Sequence, residues 1–570
     1  MTRASVTSLR DDPSAEVLII GGGINGIATF RELSLQGVKV ALVERGDFVS
    51  GASSASSHMV HGGVRYLENG EFRLVNEAVH ERNRLLKNAP HYVRPLETTI
   101  PVFSTFSGIL AAPLRFLTHK QRTTVERGAV LIKVGLSLYD SFSRDGGTVP
   151  RHRFLRRKYA LEDMPELNPD LKYTATYYDA SMHDPERLAL DVLQDGIQTG
   201  SARATNYVEA IGFTGDGVLL QDKVTGESFT FSAKVVVNTT GPWTDLTNES
   251  LGQPSRFMGG TKGSHIVVNN QDLLRATRGR ELFFENDDGR IVLIYPIKNR
   301  VLIGTTDIEA DPRRPAVCTE EEVDYFFKLV RHVLPRIQLH QSEIVYRFAG
   351  IRPLPRHDDE SPGFVSRDYR IEASTLGDGI DLLSLVGGKW TTFRALGEHL
   401  ADEVLGKLQR PRTVSTESLA IGGGKQFPTT AAHRSGWITK HAESVDTQRA
   451  EELLERYGTK AAAVIATLPK SDTPLTHAPQ YSTGEIRYLA STENVVHLSD
   501  LVYRRTSLAF VGGLSEPLLQ ELSVIVGTVL GWDPQQQAAE VALVADDLSL
   551  NHEVQLTATS ADAPRTHPAR

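Results

Sequence analysis

Residues 16–44 read "EVLIIGGGINGIATFRELSLQGVKVALVE". The run Val17–Ile20 is continuous and rich in β-branched residues, the pattern of a strand buried on both faces. Gly21, Gly23 and Gly26 satisfy G-x-G-x-x-G, a helical pattern runs from Ile24 to Gln36, and Gly37 stops it. Val38–Val43 reads as a second strand with Glu44 at its end. The first glycine allows a tight turn, the second lets backbone approach a pyrophosphate, and the third lets helix pack on strand. Asn25 lies in the same turn, where the helix N-terminus faces the phosphates. Glu44 accepts from ribose hydroxyls, and its charge excludes a 2′-phosphate. Strand, loop, helix, strand and acid at this spacing specify a dinucleotide-binding unit.

No second copy of the unit follows. "IGGGKQF" at 421–427 lacks the third glycine and a helix, and "VGGL" at 511–514 sits among helical segments. Enzymes that pass electrons from a nicotinamide to a flavin usually need two such units, and often a cysteine pair. This chain has one unit and one cysteine, Cys318. The bound dinucleotide is then itself the redox group, which points to FAD oxidising a small substrate directly.

The totals narrow the class further. At 570 residues the chain has room for two or three domains. Its 40% hydrophobic and 23% charged residues are ordinary for a globular protein. A net charge of −8 argues against nucleic acid as a partner. A lone cysteine excludes intrachain disulfides and an all-cysteine cluster, and fits a reducing cytoplasm. No resident metal is expected. The opening "MTRASVTSLRDDPSAE" lacks the apolar core of a secretory signal. No apolar run approaches the roughly 18–20 residues of a spanning helix, so the chain is not expected to cross a membrane.

Seven motifs occur in order, the glycine turn being the first: "GGGINGIA", "SSASSHMVHGGVRYLE", "GPW", "KGSHIVV", "IGTTDIE", "AGIRPLP" and "GGKWTTFR". Together they resemble the FAD-dependent glycerol-3-phosphate dehydrogenases of the aerobic single-subunit type, from about residue 16 to residue 400, and more weakly beyond. The resemblance implies α/β architecture followed by an all-α part. That means a glutathione-reductase-type FAD-binding Rossmann domain, an interrupting antiparallel-sheet substrate domain and a C-terminal helical domain. It also implies oxidation of sn-glycerol 3-phosphate to dihydroxyacetone phosphate, with electrons passed to a membrane quinone.

That chemistry asks for particular residues. A hydride must leave carbon for flavin N5 while a proton leaves oxygen, and a base near neutral pKa helps. His61 is the candidate, and the resemblance places the matching histidine beside substrate; the alternative is a hydrogen bond to flavin or backbone. Gly62 and Gly63 follow it and would allow backbone and substrate to lie close to the ring. His58 stands where the resemblance leads one to expect lysine. A phosphomonoester needs cations. Arg352, fixed between glycine and proline in "AGIRPLP", is expected to hold phosphate. Arg65, beside Tyr66, does so or forms an ion pair inside the flavin domain. Lys389 follows Gly387 and Gly388, and either holds phosphate or polarises the flavin's pyrimidine side. Thr391 and Thr392 open a helix whose end stabilises the same anion. The resemblance turns His265 toward the ligand; read without it, His265 is a strand histidine satisfied by backbone. Ser53, Ser54, Ser56 and Ser57 offer hydroxyls to pyrophosphate and ring, and the backbone of Thr240 and Gly241 meets the adenosine half.

The FAD-dependent core is expected over 14–408. Segments 14–88, 180–245 and 345–408 bind FAD, while 89–179 and 246–344 form the substrate domain. A helical domain over 415–548 and a disordered tail over 551–570 complete the chain. "RIVLIYPIKNRVLIGTTDIE" at 290–309 reads as a hairpin with Lys298-Asn299-Arg300 at its tip. Between Arg115 and Lys158, eleven basic residues face three acidic ones, a local excess of eight positive charges. With neighbouring apolar stretches, this predicts peripheral contact with the inner face of an anionic membrane, where a quinone lives. A homodimer is a further expectation. Two other readings stay open: the same oxidation with dioxygen as acceptor, and an amine or amino-acid oxidase of the same fold.

Overall fold

The computed structural model describes residues 3–63, 72–103, 132–133, 135–137, 139–140, 150–285, 291–356, 368–442 and 445–556. Arg65, Tyr66, most of the basic stretch and residues 557–570 lie outside them.

The strand Ser14–Ile20 runs in the middle of a sheet, parallel to Ser228–Asn238 on one side and to Val40–Val43 on the other. Ala202–Thr205 extends the parallel set beyond Val40–Val43, and Ile380–Val386 extends it beyond Ser228–Asn238. An antiparallel strand, Arg370–Leu376, closes that edge. Alternate side chains of the first strand serve two cores. Val17 and Ile19 pack with Ile27 and Phe30 of the helix Ile24–Leu35, and with Leu193 and Leu400 from the helices Pro185–Ile197 and Phe393–Lys407. Leu18 and Ile20 pack on the other face, under the antiparallel strands Val208–Thr214 and Gly217–Asp222. This explains why Val17–Ile20 shows no polar alternation: neither face meets water. An unforeseen helix, Ala4–Asp11, adds Val6 and Leu9 to that second core.

A second sheet of ten strands carries the other half of the site. Met258–Val268 pairs with Ile344–Pro355 on one side, and with Arg300–Gly304 and Ile308–Glu309 on the other. The hairpin Ile291–Ile297/Arg300–Gly304 turns on Lys298 and Asn299, both at positive φ (51° and 58°), a two-residue turn matched to strand twist. The sheet is antiparallel except between Glu281–Glu285 and Val93–Val102, which run parallel. Two pieces assigned from sequence to FAD-binding segments pair here instead: Met59–Val60 with Ser181 and Ala180, and Ile344–Pro355 along Met258–Val268. Ile266, Val267 and Val268 are fully buried, so the strand that bears them needs cover along its outer edge, and Ile344–Pro355 supplies it.

The C-terminal helices form their own core around Leu489, Leu518, Leu522 and Val544. Their ends follow local chemistry. Ser515 and Asp533 accept from the backbone N–H of Leu518 and Gln536, proline occupies each first turn, and Gly531 ends Glu516–Leu530 at φ 74°. The last helix runs to Asn551, and residues beyond it dock on the second sheet through Arg347 and Tyr346. Of the expected tail over 551–570, His552 and Glu553 are held by an aromatic ring and a cation, and 557–570 lie outside the described residues.

Candidate active site

The glycine turn is closed by its neighbours. A Cβ on Gly26 would lie 2.0 Å from the carbonyl oxygen of Gly21, and Gly21 itself has φ 110°. Glu44 accepts from the N–H groups of Gly22 (2.7 Å) and Gly46 (2.8 Å), fixing its carboxylate at the end of Val40–Val43. Burial pushes its pKa up against those two hydrogen bonds. Ser53 Oγ accepts from Ile24 N–H at 3.0 Å, and its carbonyl accepts from Trp390 Nε1 at 2.9 Å. Thr239 Oγ donates to Ile20 or Gly21 (3.0 Å each) and Thr240 Oγ to Asn238 Oδ1 (2.7 Å), before the chain turns at Gly241, φ 60°. Asn238 and Thr239 were not foreseen as part of this turn, since a strand-end asparagine and threonine look like ordinary caps.

These residues fit an FAD. Asn25 Oδ1 is buried without a hydrogen-bond partner, at the start of the first helix. The amide of Asn25 abuts Gly388, whose Cβ would lie 2.4 Å from Asn25 Nδ2. Gly387 and Gly388, at φ 95° and 115°, bring Lys389 back to that helix end from Ile380–Val386. Thr391 and Thr392 are buried there, and the helix they precede starts at Phe393.

The loop after the nucleotide unit reaches the second sheet. Ser54 Oγ donates to Gly51 O (3.1 Å), and Ser56 Oγ accepts weakly from His58 N–H (3.4 Å). Ser57 Oγ lies 2.8 Å from His265 Nε2. The His265 ring stacks on Phe348, its register partner, at 4.8 Å and 12°. Burial first, and the nearby Arg352 charge second, push His265 down to about 3, so the ring is neutral at physiological pH. His265 is thus held by the Ser57 side chain and the Phe348 ring rather than by backbone, as the residue-only reading had it. His58, at φ 55°, is pushed down to about 4 by burial.

Arg352 lies four residues along the same pair of strands, opposite Thr261. Its Nη1 donates to Asp307 (2.9 Å), and its Nη2 to Thr305 Oγ1 (3.0 Å) and Thr306 O (2.8 Å). The guanidinium covers Gly263, where a Cβ would lie 2.1 Å from Nη2. Thr305, Thr306 and Asp307 thus orient the cation.

His61 is half-buried, at the end of Met59–Val60. The next residue, Gly62, is glycine for a reason different from the one expected. A Cβ there would lie 2.0 Å from Tyr139 Oη, and Gly62 N–H donates to Asp179 Oδ1 at 2.9 Å. Gly63 follows at φ 76°. Tyr139 (2.6 Å) and Arg82 (3.0 Å) donate to the same Asp179 oxygen. This buried triad anchors the backbone beside His61, and sequence reasoning missed it, because Arg82 reads as one more polar position on the amphipathic helix Phe72–Asn88.

Comparisons with known proteins bear on the fold and the family. Residues 16–403 match the FAD dependent oxidoreductase family, and residues 414–537 match the C-terminal domain of alpha-glycerophosphate oxidase. A glycerol-3-phosphate dehydrogenase of Synechocystis is 33% identical over 87% of this chain and 89% of its own. The aerobic glycerol-3-phosphate dehydrogenase of Bacillus subtilis is 28% identical over 87% of each. The crystal structure of the Bacillus halodurans glycerol-3-phosphate dehydrogenase complexed with FAD shares the fold, with TM-score 0.71, 22% identity and 98% of both chains covered. Identity of 33% sustained along nearly the whole of two chains reflects common descent, not a coincidence of short motifs, and the chain belongs to the family of FAD-dependent glycerol-3-phosphate dehydrogenases.

Proposed function

We propose that the protein oxidises sn-glycerol 3-phosphate to dihydroxyacetone phosphate with FAD and passes the electrons to a membrane quinone. One observation carries the reading: Ser57, in the loop after the nucleotide turn, is joined to His265, on the strand that faces Arg352. A dinucleotide cradle and an oriented cation therefore share one site. When bound, FAD supplies a two-electron acceptor for the hydride leaving the substrate carbon.

The chain's own groups do the rest. Arg352 binds the phosphate by charge-assisted hydrogen bonds, held in register by Asp307 and Thr305. Arg65 and Tyr66 contribute to the same substrate contact on the family resemblance. His265, neutral and fixed by Ser57 and Phe348, offers the substrate a hydrogen bond without competing for a proton. His61 takes the hydroxyl proton as the hydride leaves, contributing about 10²–10⁴-fold. Lys389 would lie at the flavin's pyrimidine side and supply a positive charge there. Glu44, Asn25, Ser53, Thr240, Gly241, Thr391 and Thr392 hold the cofactor.

The described end of the basic stretch supports contact with an anionic membrane. Arg151, Arg153, Arg156, Arg157 and Lys158 are all exposed, beside Tyr159, which is 56% exposed. Among the described residues no helix is long and apolar enough to cross a membrane. Exposed Val524, Leu543 and Leu550 on the last two helices give a second copy an apolar surface for a homodimer. Steady-state rates with a short-chain quinone and with dioxygen test the acceptor. Faster turnover with quinone supports this reading, and faster turnover with dioxygen replaces it with an oxidase.

A further inference from the structure

One loop of the C-terminal helical domain reaches the cluster around His265. Phe510 lies with its ring 4.7 Å from the ring of His58 and 6.4 Å from that of Phe348. Phe348 in turn stacks on His265. The loop is fastened on both flanks. Val511 O accepts from Arg300 Nε at 3.0 Å, and a Cβ on Gly512 would lie 2.4 Å from Val345 Cβ. A second clamp closes on the same strand: His552 Nδ1 lies 2.6 Å from Arg347 O, and Arg347 Nη1 lies 2.6 Å from Glu553. The strand held in this way bears Arg352.

We infer that Phe510 is a positioning residue, a wedge by which the C-terminal domain fixes the Phe348 ring against His265 and the His58 loop beside it. The inference rests on the reading that His265 faces substrate. Its physical basis is packing. Phe510, Phe348 and His58 line one cavity of about 170 Å³ between the C-terminal domain and the core. Truncating Phe510 enlarges that cavity beside His58 and removes the ring that packs against Phe348, the ring stacked on His265. Water then gains access to rings that burial now shields, His58 at 4% and His265 at 2% exposure.

The test uses the full-chain holoprotein with Phe510→Ala and Phe510→Leu, His265→Gln serving to assign the His265 signal. Histidine NMR titration is the first readout and needs no substrate. His58 faces Asp184, Lys298 and His183, and His265 faces Arg352, His58 and Ser57. In Phe510→Ala both rings are expected to titrate closer to the ordinary value near 6.5, with Phe510→Leu intermediate. Anaerobic flavin reduction is the second readout. The half-saturating glycerol 3-phosphate concentration is expected to rise about tenfold in Phe510→Ala, with FAD content unchanged. Unaltered titration of both histidines would overturn the wedge, even if the variant were less heat-stable. A wild type that is not reduced by glycerol 3-phosphate would instead overturn the proposed substrate, with the NMR result still deciding the role of Phe510.

Discussion

Asp179 accepts the N–H of Gly62 at 2.9 Å while holding the guanidinium of Arg82, 1% exposed, at 3.0 Å. The backbone that presents His61 is thus tied to a charge pair that has almost no contact with water. Removing one partner of such a pair leaves the other charge buried alone, at a cost of about 3–5 kcal/mol. Asp179→Ala is expected to lower unfolding stability by that amount, read by urea denaturation. Asp179→Asn, which keeps an acceptor oxygen, is expected to lose less.

Gly26→Ala places a methyl group 2.0 Å from Gly21 O, a distance no small adjustment relieves. The strand–turn–helix must open and the pyrophosphate cradle with it. The variant is expected to purify without the yellow flavin spectrum and to stay colourless after reconstitution. Full FAD content would show that the turn tolerates a side chain there.

Arg352→Ala is expected to raise the half-saturating glycerol 3-phosphate concentration by about 10²-fold, the equivalent of one to two charge-assisted hydrogen bonds. Arg352→Lys restores charge but not the paired donors that Asp307 and Thr305 orient, and is expected to recover only part of the loss. Stopped-flow reduction at increasing substrate concentration measures both.

His265 and His58 are neutral in the fold because burial pushes them down to about 3 and about 4. Unfolded, each binds a proton near pH 6.5. Below that pH the unfolded state holds more protons, so their contribution to stability is complete above about pH 6.5 and is lost as the pH falls toward about 4. Urea midpoints are expected to drop across that window, and less steeply in His265→Gln. An equal slope in wild type and variant would assign the acid sensitivity elsewhere.

Replacing Arg153, Arg156, Arg157 and Lys158 with glutamate is expected to abolish sedimentation with anionic vesicles while leaving turnover with a soluble quinone analogue unchanged. Wild-type binding is expected to fall with added salt, as screening of exposed charges requires. Binding indifferent to lipid charge would remove the membrane contact from the account.

How much of this was legible in the chain depends on range. The nucleotide unit could be read because its causes are local: Val17–Ile20 shows two buried faces, and Gly26 has no room for a side chain. The capped helices at Ser515 and Asp533 were legible for the same reason. Partners far apart in sequence were not. Nothing near Gly62 announces Asp179, 117 positions away, and nothing near His58 announces Phe510. The pairing of Ile344–Pro355 with Met258–Val268 was hidden too, because "AGIRPLP" looks like a cofactor loop until its register is known.

The most direct test is anaerobic addition of sn-glycerol 3-phosphate to the purified holoprotein. The account predicts prompt bleaching of the oxidised flavin and an equivalent yield of dihydroxyacetone phosphate. It also predicts much slower bleaching in His61→Ala with FAD still bound. A flavin that keeps its oxidised spectrum in the presence of excess substrate would contradict it.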